Sequence, residues 1–157
     1  MAKRIKFKIG DVFLFPLEND LKGVGRVLSI DRATSLIELY HMKPIKDISE
    51  YIFNEVIKEK PLIMHWTYDD ALRKGLWEII DNQHVEDEIE MPYFWNQDSG
   101  DMKYYIRKGT QDSYRTTGER TEIQKEDIYK YGSFGIGNEI SEKIKYMRRL
   151  KEAGLMR

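Results

Sequence analysis

Apolar residues run together in three short blocks near the start of the chain, at residues 11–17, 25–31 and 36–41. Each block is rich in Val, Ile, Phe, Leu and Tyr, and Gly, Asn, Asp and Ser occupy the joins. Blocks of this length and composition predict β-strands, and joins of a few residues favour antiparallel neighbours. Residues 5–8 either start a strand of their own or lead into the first one. Pro16 has no backbone N–H, so this strand is expected at a sheet edge or to end there. Residues 18–23 form a polar turn, and Gly23 and Gly25 free the backbone where the second strand begins.

The period changes at residues 47–58, where Ile48, Tyr51, Ile52, Glu55 and Val56 recur three and four apart behind Asp47 as N-cap. This spacing predicts a short helix that stops before Pro61. Residues 62–68 predict a strand, 68–75 a turn and 76–80 another strand. A hairpin follows, with strands at 93–97 and 102–107 and a turn of Asp98, Ser99, Gly100 and Asp101. Residues 109–120 are expected as an exposed loop, and 121–131 carry a last apolar set, Ile123, Ile128, Tyr129 and Tyr131. Glycine-rich residues 132–137 serve as a hinge into a final helix capped by Asn138. In that helix Ile140, Ile144, Met147 and Leu150 make one apolar stripe, and Glu139 and Glu142 favour its positive start. Lys145, Arg148, Arg149 and Lys151 suit its far end, and Gly154 stops it.

The elements add up to an α+β fold: a mostly antiparallel twisted sheet with an SH3-like N-terminal meander, a short central helix and a C-terminal helix. Val12, Leu14, Val27, Leu28, Ile30, Ile37 and Leu39 are expected in the core, with Trp66 and Trp77. A length of 157 residues fits one domain spanning 1–157. Hydrophobic residues at 41% and aromatics at 12% are globular values. Charged residues reach 34% yet nearly cancel to −1, which argues against a dedicated nucleic-acid binder. Without cysteine there is no disulfide and no zinc–thiolate site. The basic N-terminus leads into no signal-length apolar region, and no apolar run reaches membrane-spanning length; the cytoplasm is the expected location.

Candidate chemistry is sparse. His41, His65 and His84 share no metal-ligand spacing, and His65, between Met64 and Trp66, reads as a hydrogen-bonded residue of a strand. Residues 132–137 lack the Lys-Ser/Thr of a phosphate loop, and no nucleophile elbow or dinucleotide fingerprint appears. No catalytic residue, metal site or cofactor is therefore assigned.

Wording, more than chemistry, carries a resemblance. Lys8, Gly10, Asp11, Val12, Phe13, Pro16 and Leu17 give a Lys-x-Gly-Asp-Val-Phe-x-x-Pro-Leu opening, and Gly23, Gly25, Arg26, Val27 and Leu28 follow. Further on come Gly75 and Trp77, then Ile79 and Ile80, then Pro92 and Phe94. This series resembles the immunity protein 26 family, found beside the toxins of bacterial polymorphic toxin systems; Asp81 stands where that family has Gly. The resemblance implies a mostly β protein that binds a cognate protein toxin and neutralises it stoichiometrically, without turnover or cofactor.

On that reading one segment stands out. Residues 81–101 hold seven carboxylates and no Lys or Arg, with Tyr93, Phe94 and Trp95 among them. Such a segment suits the basic cleft of a toxin that acts on nucleic acid, with Glu86, Asp87, Glu88, Glu90, Trp95, Asp98 and Asp101 as the expected contacts. The plainer alternative is a solvated loop whose aromatics divide between core and surface. Two other functions stay open. One is a PemK-like endoribonuclease, to which the small barrel opening is superficially similar and in which Arg26 faces RNA. The other is a generic interaction module.

Overall fold

A computed structural model describes residues 3–157 and shows an α+β fold with two mostly antiparallel sheets. The first contains β1 (Asp11–Pro16), β2 (Lys22–Asp31), β3 (Thr34–Leu39), β4 (Ile63–Tyr68) and β5 (Glu78–Asn82). Their order is β4-β3-β2-β1-β5, and every neighbouring pair is antiparallel. The second sheet contains β6 (Tyr93–Gln97), β7 (Tyr104–Lys108), β8 (Thr121–Ile123) and β9 (Gly132–Ser133), in the order β8-β7-β6-β9. β9 runs parallel to β6. Helices are α1 (Phe53–Val56), α2 (Asp70–Arg73) and α3 (Glu139–Glu152).

Strand alternation divides the core. Phe13, Phe15 and Leu17 join Val27, Ile37, Leu39 and Trp77 on one face of the first sheet, where Tyr146, Met147 and Leu150 of α3 cover them. Val12 and Leu14 point to the opposite face, with Val24, Tyr40, Ile45 and Val56. On a third cluster Leu28, Leu36 and Trp66 meet Met91 and Phe94, which docks the second sheet on the first. β1 is paired on both sides and ends at Pro16, so its missing N–H removes no interior ladder bond.

Several expectations are corrected. The helix at 47–58 is broken into a 3₁₀ turn at Ile48–Glu50 and the single-turn α1. Asp47 and Glu50 close a capping box around that 3₁₀ turn, and the chain then extends at Tyr51 so that its hydroxyl donates to Asp81 Oδ2 at 2.9 Å. The apolar stripe of α3 is also displaced. Ile140 and Ile144 are each 67% exposed, while Glu142, Tyr146, Met147 and Leu150 are buried. Ile30 lies near the end of β2 and is exposed rather than core. The turn at 68–75 contains α2, and the N–H groups of Leu76 and Trp77 both donate to Ala71 O, which delays β5 to Glu78. Met102 adopts a left-handed φ of 61°, so the hairpin turn runs on and β7 begins at Tyr104. Within the polar loop Ser113 is buried, donating to Asp31 Oδ2 from its N–H at 2.9 Å and its hydroxyl at 3.0 Å.

Candidate partner-binding surface

After β5 the chain crosses one face of the first sheet as a strap that leads to β6. Val85, Ile89 and Met91 turn inward against the cluster of Leu28, Leu36 and Trp66, while Glu86, Asp87, Glu88 and Glu90 are exposed. Single apolar anchors between carboxylates therefore hold the strap down and turn its charge outward. Arg26 ties the start of the strap to β2, donating from Nη1 to His84 O at 3.1 Å. Among the described residues Glu86, Asp87, Glu88 and Glu90 form no side-chain hydrogen bond or salt bridge.

Arg26 itself is not available to a substrate. Its side chain is 15% exposed, and Nε and Nη2 donate to Glu38 Oε1 at 3.2 and 3.0 Å. Tyr40 donates to the same oxygen at 2.5 Å, and the guanidinium lies 5.3 Å from the centre of the Phe53 ring. Burial, followed by the neighbouring Glu38 charge, pushes the Tyr40 hydroxyl far above its ordinary range, so it stays protonated as a donor. The cationic group that an endoribonuclease would turn toward RNA is thus spent inside the fold.

Asp98 and Asp101 are also engaged. Asp98 accepts from the N–H groups of Gly100 at 2.7 Å and Asp101 at 3.2 Å, and from Arg120 Nη1 at 2.8 Å. Asp101 accepts from the Tyr105 hydroxyl at 2.5 Å and the Lys103 N–H at 2.8 Å. The Arg120 guanidinium sits 3.8 Å from the Tyr105 ring centre and closes the cluster. Backbone donors, Gly100 first, hold the Asp98 carboxyl below its usual range; the Tyr105 hydroxyl chiefly does the same for Asp101. These two carboxylates shape the tip of the β6–β7 hairpin.

β6 sends its aromatics to opposite sides. Phe94 is buried in the core between the sheets. Tyr93 and Trp95 face a groove between the second sheet and α3, formed by two depressions that share Tyr129, Tyr131 and Lys145. The first, about 420 Å³, is lined by Lys60, Met64, Glu90, Tyr93 and Arg149 among others. The second, about 390 Å³, takes in Trp95, Ile144 and Arg148. Of the expected contacts, then, Glu90 and Trp95 meet on one groove; Glu86, Asp87 and Glu88 lie on the strap outside its lining, and Asp98 and Asp101 at the hairpin tip. The groove's basic side was missed from sequence because Lys145 and Arg149 read only as charges suited to a helix end. Its signal was the interleaving of Ile128, Tyr129, Lys130 and Tyr131.

Among the described residues no three His, Asp or Glu side chains are arranged to hold a metal ion, and no helix is long and apolar enough to cross a membrane. The strap and the groove are surfaces that the fold offers to another molecule. The chain belongs to the immunity protein 26 family, whose model matches residues 8–106. The front, middle and Pro92–Phe94 wording all lie within that match, and residues 121 onward lie beyond it. No curated protein and no solved structure matches the chain. Membership makes this an immunity protein with a toxin as its partner; such families are generally inhibitors without enzymatic turnover.

Proposed function

We propose that the chain neutralises a toxin encoded by an adjacent gene by binding it stoichiometrically and covering its active site or substrate surface, and that the acidic strap meets a basic cleft of that toxin. The observation that carries this reading is the strap itself: four exposed, unpaired carboxylates on a segment fixed from beneath by Val85, Ile89, Met91 and Arg26. A charged surface held in place before binding loses little freedom on association. It also speeds encounter by roughly 10–10³-fold in a salt-dependent way. Trp95 is the aromatic anchor of the contact, and Asp98 and Asp101 hold the adjacent hairpin in shape.

The test is a variant with Glu86→Gln, Asp87→Asn, Glu88→Gln and Glu90→Gln, measured against the adjacent gene's toxin domain by surface plasmon resonance. Association should slow by about tenfold or more at low salt and lose most of its salt dependence. An unchanged association rate removes the strap from the contact.

We also propose that residues 1–157 act as one domain although the family model stops at 106. Tyr146 and Leu150 of α3 are buried against β1–β4, and the Tyr146 hydroxyl donates to Tyr40 O at 2.6 Å. Thermal unfolding followed by far-UV circular dichroism and by tryptophan fluorescence should give one coincident transition. Two separated transitions would divide the chain.

A further inference from the structure

β4 is the outermost strand of the first sheet, and its free edge is only partly covered. Trp66 O accepts from Gly137 N–H and Tyr68 N–H donates to Gly137 O, both at 2.9 Å, so the backbone of Trp66 and Tyr68 faces away from β3. Ladder alternation places the N–H and C=O of Met64, two residues earlier, on the same free edge. Among the described residues neither group has a backbone partner there, and Met64 lines the groove. Lys60, Lys145 and Arg149 line it as well and make no salt bridge among the described residues, against the single carboxylate of Glu90.

We propose that this groove takes an extended acidic segment of the toxin, laid as an added strand along the open edge of β4. The proposal rests on the reading of the chain as a toxin-binding immunity protein. The segment's backbone pairs with Met64, its carboxylates meet Lys60, Lys145 and Arg149, and its apolar side chains pack on Tyr93 and Tyr131. Main-chain pairing supplies affinity, and the cations with the tyrosines supply selection. Aromatic and basic residues in a groove also suit single-stranded nucleic acid. The open N–H and C=O of Met64 favour the peptide, because only a peptide main chain carries the alternating donors and acceptors that extend a sheet edge.

Two variants separate these outcomes. Lys145→Glu with Arg149→Glu reverses the charge of the groove. Met64→Pro removes an N–H that faces away from β3, a change that an edge strand tolerates, together with a half-buried side chain; Met64→Ala removes the side chain alone and serves as its reference. Each is checked for native circular dichroism and titrated with the adjacent gene's toxin domain, and a fluorescein-labelled oligouridine serves as a second probe. The expected result is toxin binding by the native protein, about tenfold or more weaker binding by the charge-reversed variant, weaker binding by Met64→Pro than by Met64→Ala, and no oligouridine binding by any form. Native-strength binding by the charge-reversed variant overturns the groove proposal and leaves the toxin-binding reading standing. Failure of the native protein to bind the toxin removes both. Oligouridine binding that the charge reversal abolishes overturns the proposal in favour of nucleic acid.

Discussion

Trp77→Ala is expected to lower the free energy of unfolding by about 3–5 kcal/mol, close to the whole margin of a less stable domain. Trp77 sits between α2 and β5 and is 2% exposed. Its indole stacks on Phe13 with centroids 5.1 Å apart and planes 10° from parallel, and meets Phe15 at the same separation with a 39° tilt. Phe15 in turn packs edge-on against Tyr146 of α3. Removing the indole therefore opens a cavity at the point where β1, β5 and α3 converge, and forfeits two aromatic contacts besides the buried area. Trp77→Phe keeps a ring in that place and should cost less than half as much. Urea denaturation followed by circular dichroism checks both; a loss below about 1 kcal/mol for the alanine variant would mean that the indole does not fill the core.

Trp77 was legible in the sequence, and so was the meander it packs on. The three apolar blocks of β1, β2 and β3 are separated by short polar joins, and local pattern alone predicts neighbouring antiparallel strands there. Legibility fails where the deciding partner is distant in the chain. Residues 47–58 have helical spacing, yet Tyr51 leaves the helix for Asp81, thirty positions on. In α3 the hydrophobic pattern points to Ile140 and Ile144, but the buried face is set by Glu142 and Tyr146, whose partners are His65 and Tyr40. The acidic segment was legible as exposed charge, and its division was not. Asp98 and Asp101 are consumed by turn amides, Tyr105 and Arg120, whereas the strap carboxylates keep no partner among the described residues. The groove is assembled from four stretches that only the tertiary fold brings together, near residues 60, 90, 130 and 145.

Glu142→Ala is expected to destabilise the fold by about 3–5 kcal/mol, although a glutamate on a helix ordinarily belongs to the solvent. Glu142 is fully buried, and its Oε1 lies 2.6 Å from Nδ1 of His65, itself buried on β4. His65 Nε2 faces the carbonyl oxygens of Ser133 at 2.8 Å and Gly135 at 2.9 Å, so that nitrogen carries a hydrogen and donates it. A second hydrogen must lie between Nδ1 and the carboxyl group, because an acceptor pair at that separation would repel. One imidazole thus joins β4, the chain around β9 and the first turns of α3. The glycine-rich stretch exists to admit it: a Cβ on Gly132 would lie 2.7 Å from His65 Cδ2, and one on Gly137 would lie 3.0 Å from Nδ1 and collide with the Glu142 carboxylate. The hinge read from sequence is a close passage of backbone over a ring. Truncating Glu142 leaves Nδ1 without a partner inside the core, the costly half of such a change. Glu142→Gln retains an amide that can donate to Nδ1 and should recover part of the loss. His65→Ala and Glu142→Ala combined should cost clearly less than the sum of the two, since either one alone already breaks the link. Additive losses in chemical denaturation would show that the two side chains stabilise the fold independently, and that α3 is held to β4 by Tyr146, Met147 and Leu150 alone.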